Sequence, residues 1–158
     1  MTKNIQFSFC IITDNSDEAC RRIDQVIHSI QYLGIPEYEI IVIGGKGNKL
    51  SVKADNITKV DFDEAQKRAW ITKKKNEVVK LCKYENVVMM HDYFIFHRSW
   101  YRHYNEFFKE HQYDICCNPI LLENGKRDYT DWLTWDHPIY KRQTSLPYHN
   151  WSLSLIHI

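Results

Sequence analysis

The residues with most chemistry to offer close the apolar run Val87-Val88-Met89-Met90, which stops abruptly at His91-Asp92-Tyr93. A carboxylate beside an imidazole can hold a hard divalent cation such as Mn²⁺ or Mg²⁺. That ion would bridge the diphosphate of a nucleotide and stabilise it as a leaving group. Two further groups bear on the same chemistry. Thr13 and Asp14 stand in the turn after an earlier apolar run, just before a helix N-terminus, which favours anions. Lys75 and Asn76 lie in a helical stretch ahead of Val87. Lys75 can neutralise phosphate, and the Asn76 amide can hold a neighbouring loop. Its neighbours Lys73 and Lys74 read as a solvated helix face.

These residues need a scaffold that gathers strand ends. Phe7–Thr13 is a β-rich run and reads as a first strand. Asn15 is placed to N-cap the following helix, with Glu18 closing a capping box. Ala19, Ile23, Val26, Ile27, Ile30 and Leu33 then recur at helical spacing. Gly34 and Pro36 end that helix. Strands are expected over Glu39–Ile43 and Ile57–Phe62, and a second helix over about Glu64–Lys83 with Ile71, Val78, Val79 and Cys82 on one side. Val87–Met90 reads as a strand buried on both faces. A third helix from Ser99 carries the core stripe Trp100, Tyr101, Tyr104, Phe107 and Phe108, and a last strand covers Ile115–Leu121. This alternation predicts an α/β fold, a mostly parallel sheet covered by helices in three Rossmann-like layers. Its ligand crevice lies beyond the carboxyl ends of the strands, where His91 and Asp92 fall.

Composition narrows the function. A net charge of +1 gives no electrostatic reason for nucleic acid as a partner. The five cysteines are odd in number and form no CxxC pair, which predicts free thiols in the cytoplasm or at the cytoplasmic face of a membrane. No HxxxH or HExxH spacing occurs, so a structural zinc site is not expected. After Glu123 the chain is rich in Trp, Tyr, Asp and Pro. Trp132, Trp135 and Asp136 are candidate sugar-binding residues, because an exposed indole beside a carboxylate can stack on a sugar ring and bind its hydroxyls. The alternative is that they anchor a packed loop.

The order of elements and the motifs resemble the N-terminal part of a GT-A-fold glycosyltransferase of the family 2 type. Lys74-Lys75-Asn76 stands where that family has Ala-Arg-Asn in a helix, and His91-Asp92-Tyr93 where it has its Asp-x-Asp region. The likeness runs over about Phe7–Leu121. It implies transfer of a sugar from a nucleotide-diphosphate donor to a glycan, lipid or protein acceptor. It also implies donor binding by Thr13, Asp14, Lys75, Asn76 and Asp92, and a metal held by Asp92 with His91. The chain departs from the family at Gly44-Gly45, where Asp-Asp-Gly usually stands, and at Lys75, which replaces the bidentate arginine. No residue corresponds to the catalytic base, so the catalytic residues are unknown at this stage. Other classes stay open. A non-catalytic nucleotide- or glycan-binding module fits the reduced acidic triplet. A sugar-phosphate nucleotidyltransferase would need a Gly-rich signature that Asp14-Asn15-Ser16-Asp17 does not supply.

The terminal Leu-Ser-Leu-Ile-His-Ile resembles one reading frame of a transposon-derived sequencing adapter, the alternative being a short natural apolar strand. The expectation is therefore a single domain over 5–152, truncated at its C-terminus, followed by adapter-derived residues 153–158. Membrane association of the full-length protein is left open by this reading.

Overall fold

The computed structural model describes residues 4–67, 70–110, 114, 118, 120–121, 127–128 and 155–157. The chain divides into two compact units, Met1–Tyr93 and Phe94–Ile158. No Gly-, Pro- or Ser-rich linker marks this division in the sequence.

The first unit is α/β. Its strands are β1 (Phe7–Ile12), β2 (Tyr38–Ile43), β3 (Ile57–Val60) and β4 (Asn86–His91), and its helices are α1 (Asp17–Tyr32) and α2 (Ile71–Val79). All three strand pairings are parallel, in the order β3-β2-β1-β4. The chain therefore moves one way along the sheet from β1 to β3 and the other way from β3 to β4. Right-handed crossovers then put α1 and α2 on opposite faces. Burial agrees with this. Every residue of β1 is buried, which requires cover on both sides. Cys10, Ile12, Ile41 and Ile43 pack with Val78 of α2. By the alternation of strand side chains, Phe9, Ile11, Ile40 and Val42 face the other way, toward the side covered by Ile23, Val26, Ile27 and Ile30 of α1, all fully buried.

α1 forms as the apolar stripe predicts, and Gly34 ends it with a left-handed φ of 66°. Its N-cap, however, is Ser16 and not Asn15: Ser16 Oγ accepts the Ala19 N–H at 3.2 Å. Asn15 is diverted to a long-range task described below. α2 is shorter than expected and its buried row differs. Ile71 and Val79 are exposed, whereas Lys74 and Val78 are buried, with Trp70 and Cys82 partly so. That row is spaced i, i+4, and a lysine occupies one of its apolar positions. β4 is also less buried than its composition suggests, with Val87 36% exposed. It borders the sheet, with a partner on one side only among the described residues.

The second unit holds β5 (Phe94–Phe96), α3 (Trp100–Glu110), β6 (Ile120–Leu121), β7 (Arg127–Asp128) and β8 (Leu155–His157). These strands run in the order β5-β8-β6-β7. β8 is antiparallel to β5 and parallel to β6, so Leu155–His157 takes a strand position whatever its origin. Of the aromatic stripe of α3, Trp100 and Tyr104 are buried, whereas Tyr101, Phe107 and Phe108 are half-buried. Trp100 is fully buried, meets Phe96 edge-on at 4.8 Å and Tyr104 at 4.3 Å, and donates its indole N–H to Asn118 Oδ1 at 3.1 Å. Of the strand expected over Ile115–Leu121, Ile120–Leu121 is a strand and Asn118, the other described residue, is not in one. No helix among the described residues is long and apolar enough to cross a membrane.

Candidate functional site

The parallel register fixes the site. Ile12 pairs with Ile43 on one side and with His91 on the other. The next step along each strand brings Thr13, Gly44 and Asp92 together at the carboxyl edge of the sheet. This edge is the switch point of the topology, because the chain leaves β1 in one direction and enters β4 from the other. Open α/β sheets bind ligands in the crevice at such a point.

Thr13 is the hub, and it is buried. Its N–H continues the sheet by donating to Ile43 O at 3.0 Å. Its hydroxyl donates to Asp92 Oδ2 at 2.9 Å and accepts the Asn15 N–H at 3.1 Å. Its carbonyl accepts from Lys74 Nζ at 2.8 Å. Asp92 is 7% exposed. Its Oδ2 also lies 3.6 Å from Arg22 Nη2, and Arg22 Nη1 reaches Glu18 one turn back on α1 at 2.8 Å. The guanidinium thus comes from the α1 face and the ammonium of Lys74 from the α2 face. Lys74 is 2% exposed, pairs with Glu64 and lies over the Phe62 ring at 5.2 Å. A buried ammonium is tolerated only when paired and hydrogen-bonded, and Lys74 is both.

Asn15 and the two glycines after β2 complete the edge. Asn15 adopts φ 63°, a conformation Asn reaches more easily than most residues. Its amide donates to Lys46 O at 2.9 Å and Gly47 O at 3.3 Å, tying the β1 turn to the β2 turn. A Cβ on Gly44 would stand 2.7 Å from the Thr13 carbonyl carbon and nearer still to its oxygen; one on Gly45 would stand 2.5 Å from Asn15 Cβ. Glycine is required here so that two backbones can touch. Lys59, buried against the same turn, donates to the carbonyls of Gly44 at 2.5 Å and Val60 at 3.1 Å. Burial pushes its ammonium pKa down, although Asp61 opposes this.

Asp14 is exposed in the turn after β1. The Ser16 N–H that it accepts at 2.9 Å holds its carboxyl below the usual range, with help from Arg22 and Lys74. His91 is half-buried and stacked on Tyr93, with ring centres 5.3 Å apart and planes at 6°. Burial, then the charge of Lys75, pushes its pKa below the usual 6.5, so the ring is neutral at pH 7. Lys75 is half-buried and Asn76 exposed.

Of the expected site residues, Thr13, Asp14 and Asp92 come together, with His91 and Lys75 alongside and Asn76 on the outer side of α2. Trp132, Trp135 and Asp136 lie outside the described residues. Arg22 was not anticipated. Asn15 was read only as an N-cap, Gly44-Gly45 only as a departure from Asp-Asp-Gly, and Lys74 as part of a solvated face, although it is the charged member of an otherwise apolar row.

A divalent cation fits this arrangement poorly. Among the described residues no three His, Cys, Asp or Glu side chains converge. Asp92 Oδ2 already takes the Thr13 hydroxyl and has a guanidinium beside it. A cation there would meet Arg22 at close range and be repelled. The positive charge paired with Asp92 is supplied by the chain itself. Compared with known proteins, no family model and no curated sequence matches this chain.

Proposed function

We propose that the crevice beyond β1 and β4 binds the nucleotide diphosphate of a sugar donor, and that the protein is a glycosyltransferase of the GT-A type acting on a glycan, lipid or protein acceptor. The observation that carries this reading is the Thr13–Asp92 hydrogen bond at the switch point of a β3-β2-β1-β4 parallel sheet. It fixes a carboxylate where such sheets hold nucleotides. In this reading Asp92 accepts a hydroxyl of the donor, while Asp14 and Thr13 line the nucleotide side. Arg22 and Lys75 offset the charge that builds on the departing diphosphate, which is electrostatic stabilisation by preorganised groups. Asn76 supports the helix edge, and Trp132, Trp135 and Asp136 serve the acceptor. Because Arg22 already answers Asp92, donor binding on this reading does not require Mn²⁺ or Mg²⁺.

Calorimetric titration of the whole chain with a panel of nucleoside diphosphates, with a chelator and then with Mn²⁺, tests this. At least one diphosphate should bind in chelator, and Asp92→Asn should weaken it at least about tenfold, or about 1.4 kcal/mol. No binding under either condition, or equal binding by the variant, defeats the reading. A second reading, a nucleotide-binding module without turnover, is favoured by the same Arg22–Asp92 pairing, which leaves a single carboxylate with its charge answered. Diphosphate binding with no release of sugar from any nucleotide-sugar would select it.

A further inference from the structure

Away from the crevice, two thiols far apart in sequence meet inside the first unit. Cys10 Sγ, at the middle of β1, lies 3.4 Å from Cys82 Sγ in the turn that follows α2. We propose that Cys10 and Cys82 are an oxidisable pair, which a hydroperoxide converts to an intramolecular disulfide that fastens the end of α2 to the sheet. Bond formation requires the sulfurs to close by about 1.4 Å to the S–S length of about 2.05 Å. The turn can supply that movement, because Cys82 lies beyond the helix end, held by single hydrogen bonds to Val79 O and Val78 O.

The two thiols differ in a way that orders the chemistry. Cys82 is partly exposed, so the peroxide reaches it first. Its sulfur attacks one peroxide oxygen, the O–O bond breaks, and sulfenic acid forms with release of water or an alcohol. Cys10 is fully buried, and burial together with the neighbouring thiol pushes its pKa far up. It therefore acts second. Its sulfur attacks Cys82 Sγ, the S–O bond breaks, and the Cys10 proton leaves with the hydroxyl as water. Two thiols and one peroxide become one disulfide and two molecules of water when the peroxide is hydrogen peroxide. Lys74 lies two helical turns before Cys82 on the same row, so the bond would also hold the helix whose ammonium supports the Thr13 turn.

The test is oxidation of the whole chain with hydrogen peroxide, alkylation of the remaining thiols, tryptic digestion and mass spectrometry. The expected product has lost two hydrogens, regains them with a phosphine reductant, and links the peptide 4–21 to the peptide 81–83. Because peptide 4–21 also contains Cys20, fragmentation between the two cysteines assigns the bond. Cys20→Ser should keep the product and Cys82→Ser should abolish it. A bond from Cys82 to Cys20, Cys116 or Cys117 overturns the proposal. So does sulfinic acid at Cys82 with Cys10 still alkylated after denaturation.

Discussion

Replacing Lys74 with methionine separates the ammonium from the stem that carries it. Methionine preserves the unbranched apolar part that packs in the row with Val78, so little cavity forms. The charge-assisted hydrogen bond to the Thr13 carbonyl is lost, which is worth about 1.5–3 kcal/mol when the partner is left buried and unsatisfied. The Glu64 carboxylate also loses this ion pair, and although its side chain is 25% exposed, the oxygen that faced the ammonium is buried, which adds to the loss. The expected cost of Lys74→Met is therefore about 2–3 kcal/mol. The converse change is worse. Glu64→Gln leaves an ammonium that is only 2% exposed without its counter-charge, and an unpaired buried charge costs about 3–5 kcal/mol. The double variant should lose less than the sum, with a coupling of about 1–3 kcal/mol. Urea unfolding of the four chains measures these differences, and hydrogen exchange of the peptide 4–21 reports the Thr13 turn directly. If Lys74→Met lies within about 0.5 kcal/mol of the parent and the coupling vanishes, Lys74 does not organise the edge and the reasoning fails.

Two other perturbations test the packing arguments. Gly44→Ala places a Cβ into the Thr13 carbonyl at a φ of 151° and should cost about 3 kcal/mol or prevent folding. Gly34→Ala meets nothing within 4 Å at a φ of 66° and should cost only about 1 kcal/mol; equal losses in thermal unfolding would contradict the close-approach account. In the second unit, His97 Nδ1 accepts the Ser99 N–H at 3.3 Å just before α3. Burial, then Arg98, keeps its pKa below the usual 6.5. The unfolded chain therefore binds the proton more readily below that value, so stability is full above about pH 6.5 and is lost as pH falls toward the folded pKa. Hydrogen exchange over residues 98–104 should quicken from pH 7 to pH 5 after correction for intrinsic rates, and His97→Asn should flatten the dependence; a parent chain already flat would show that the imidazole is not held neutral.

The scaffold was legible because each of its parts is a local pattern. The stripe from Ala19 to Leu33 specifies α1 by its period, and runs such as Phe7–Ile12 and Ile40–Ile43 specify strands by continuous apolar character. The alternation of strands and helices then favours a mostly parallel sheet, which delivers Thr13 and Asp92 to one edge. What escaped the sequence is what depends on partners far along the chain. Asn15 has the chemistry of an N-cap, yet its amide is engaged by the Lys46 and Gly47 carbonyls, so the cap passes to Ser16. Val87 has the composition of a core strand, yet β4 borders its sheet. Lys74 sits in a run of three lysines that reads as solvated, and only the Trp70, Val78 and Cys82 positions around it show that it must point inward.

The same distinction applies to the charge balance of the crevice, and there it changes the chemistry. Asp92 is conspicuous where it stands, because a carboxylate that ends an apolar strand asks for a positive partner. Sequence neighbours offer His91, and a carboxylate with an imidazole suggests a metal. The structure instead brings Arg22 to that carboxylate from α1, while His91 stacks on Tyr93 with its pKa pushed down. A cation already covalently attached to the chain needs no recruitment from solution. A crevice built this way should bind anionic ligands with an affinity that falls with ionic strength rather than with chelator.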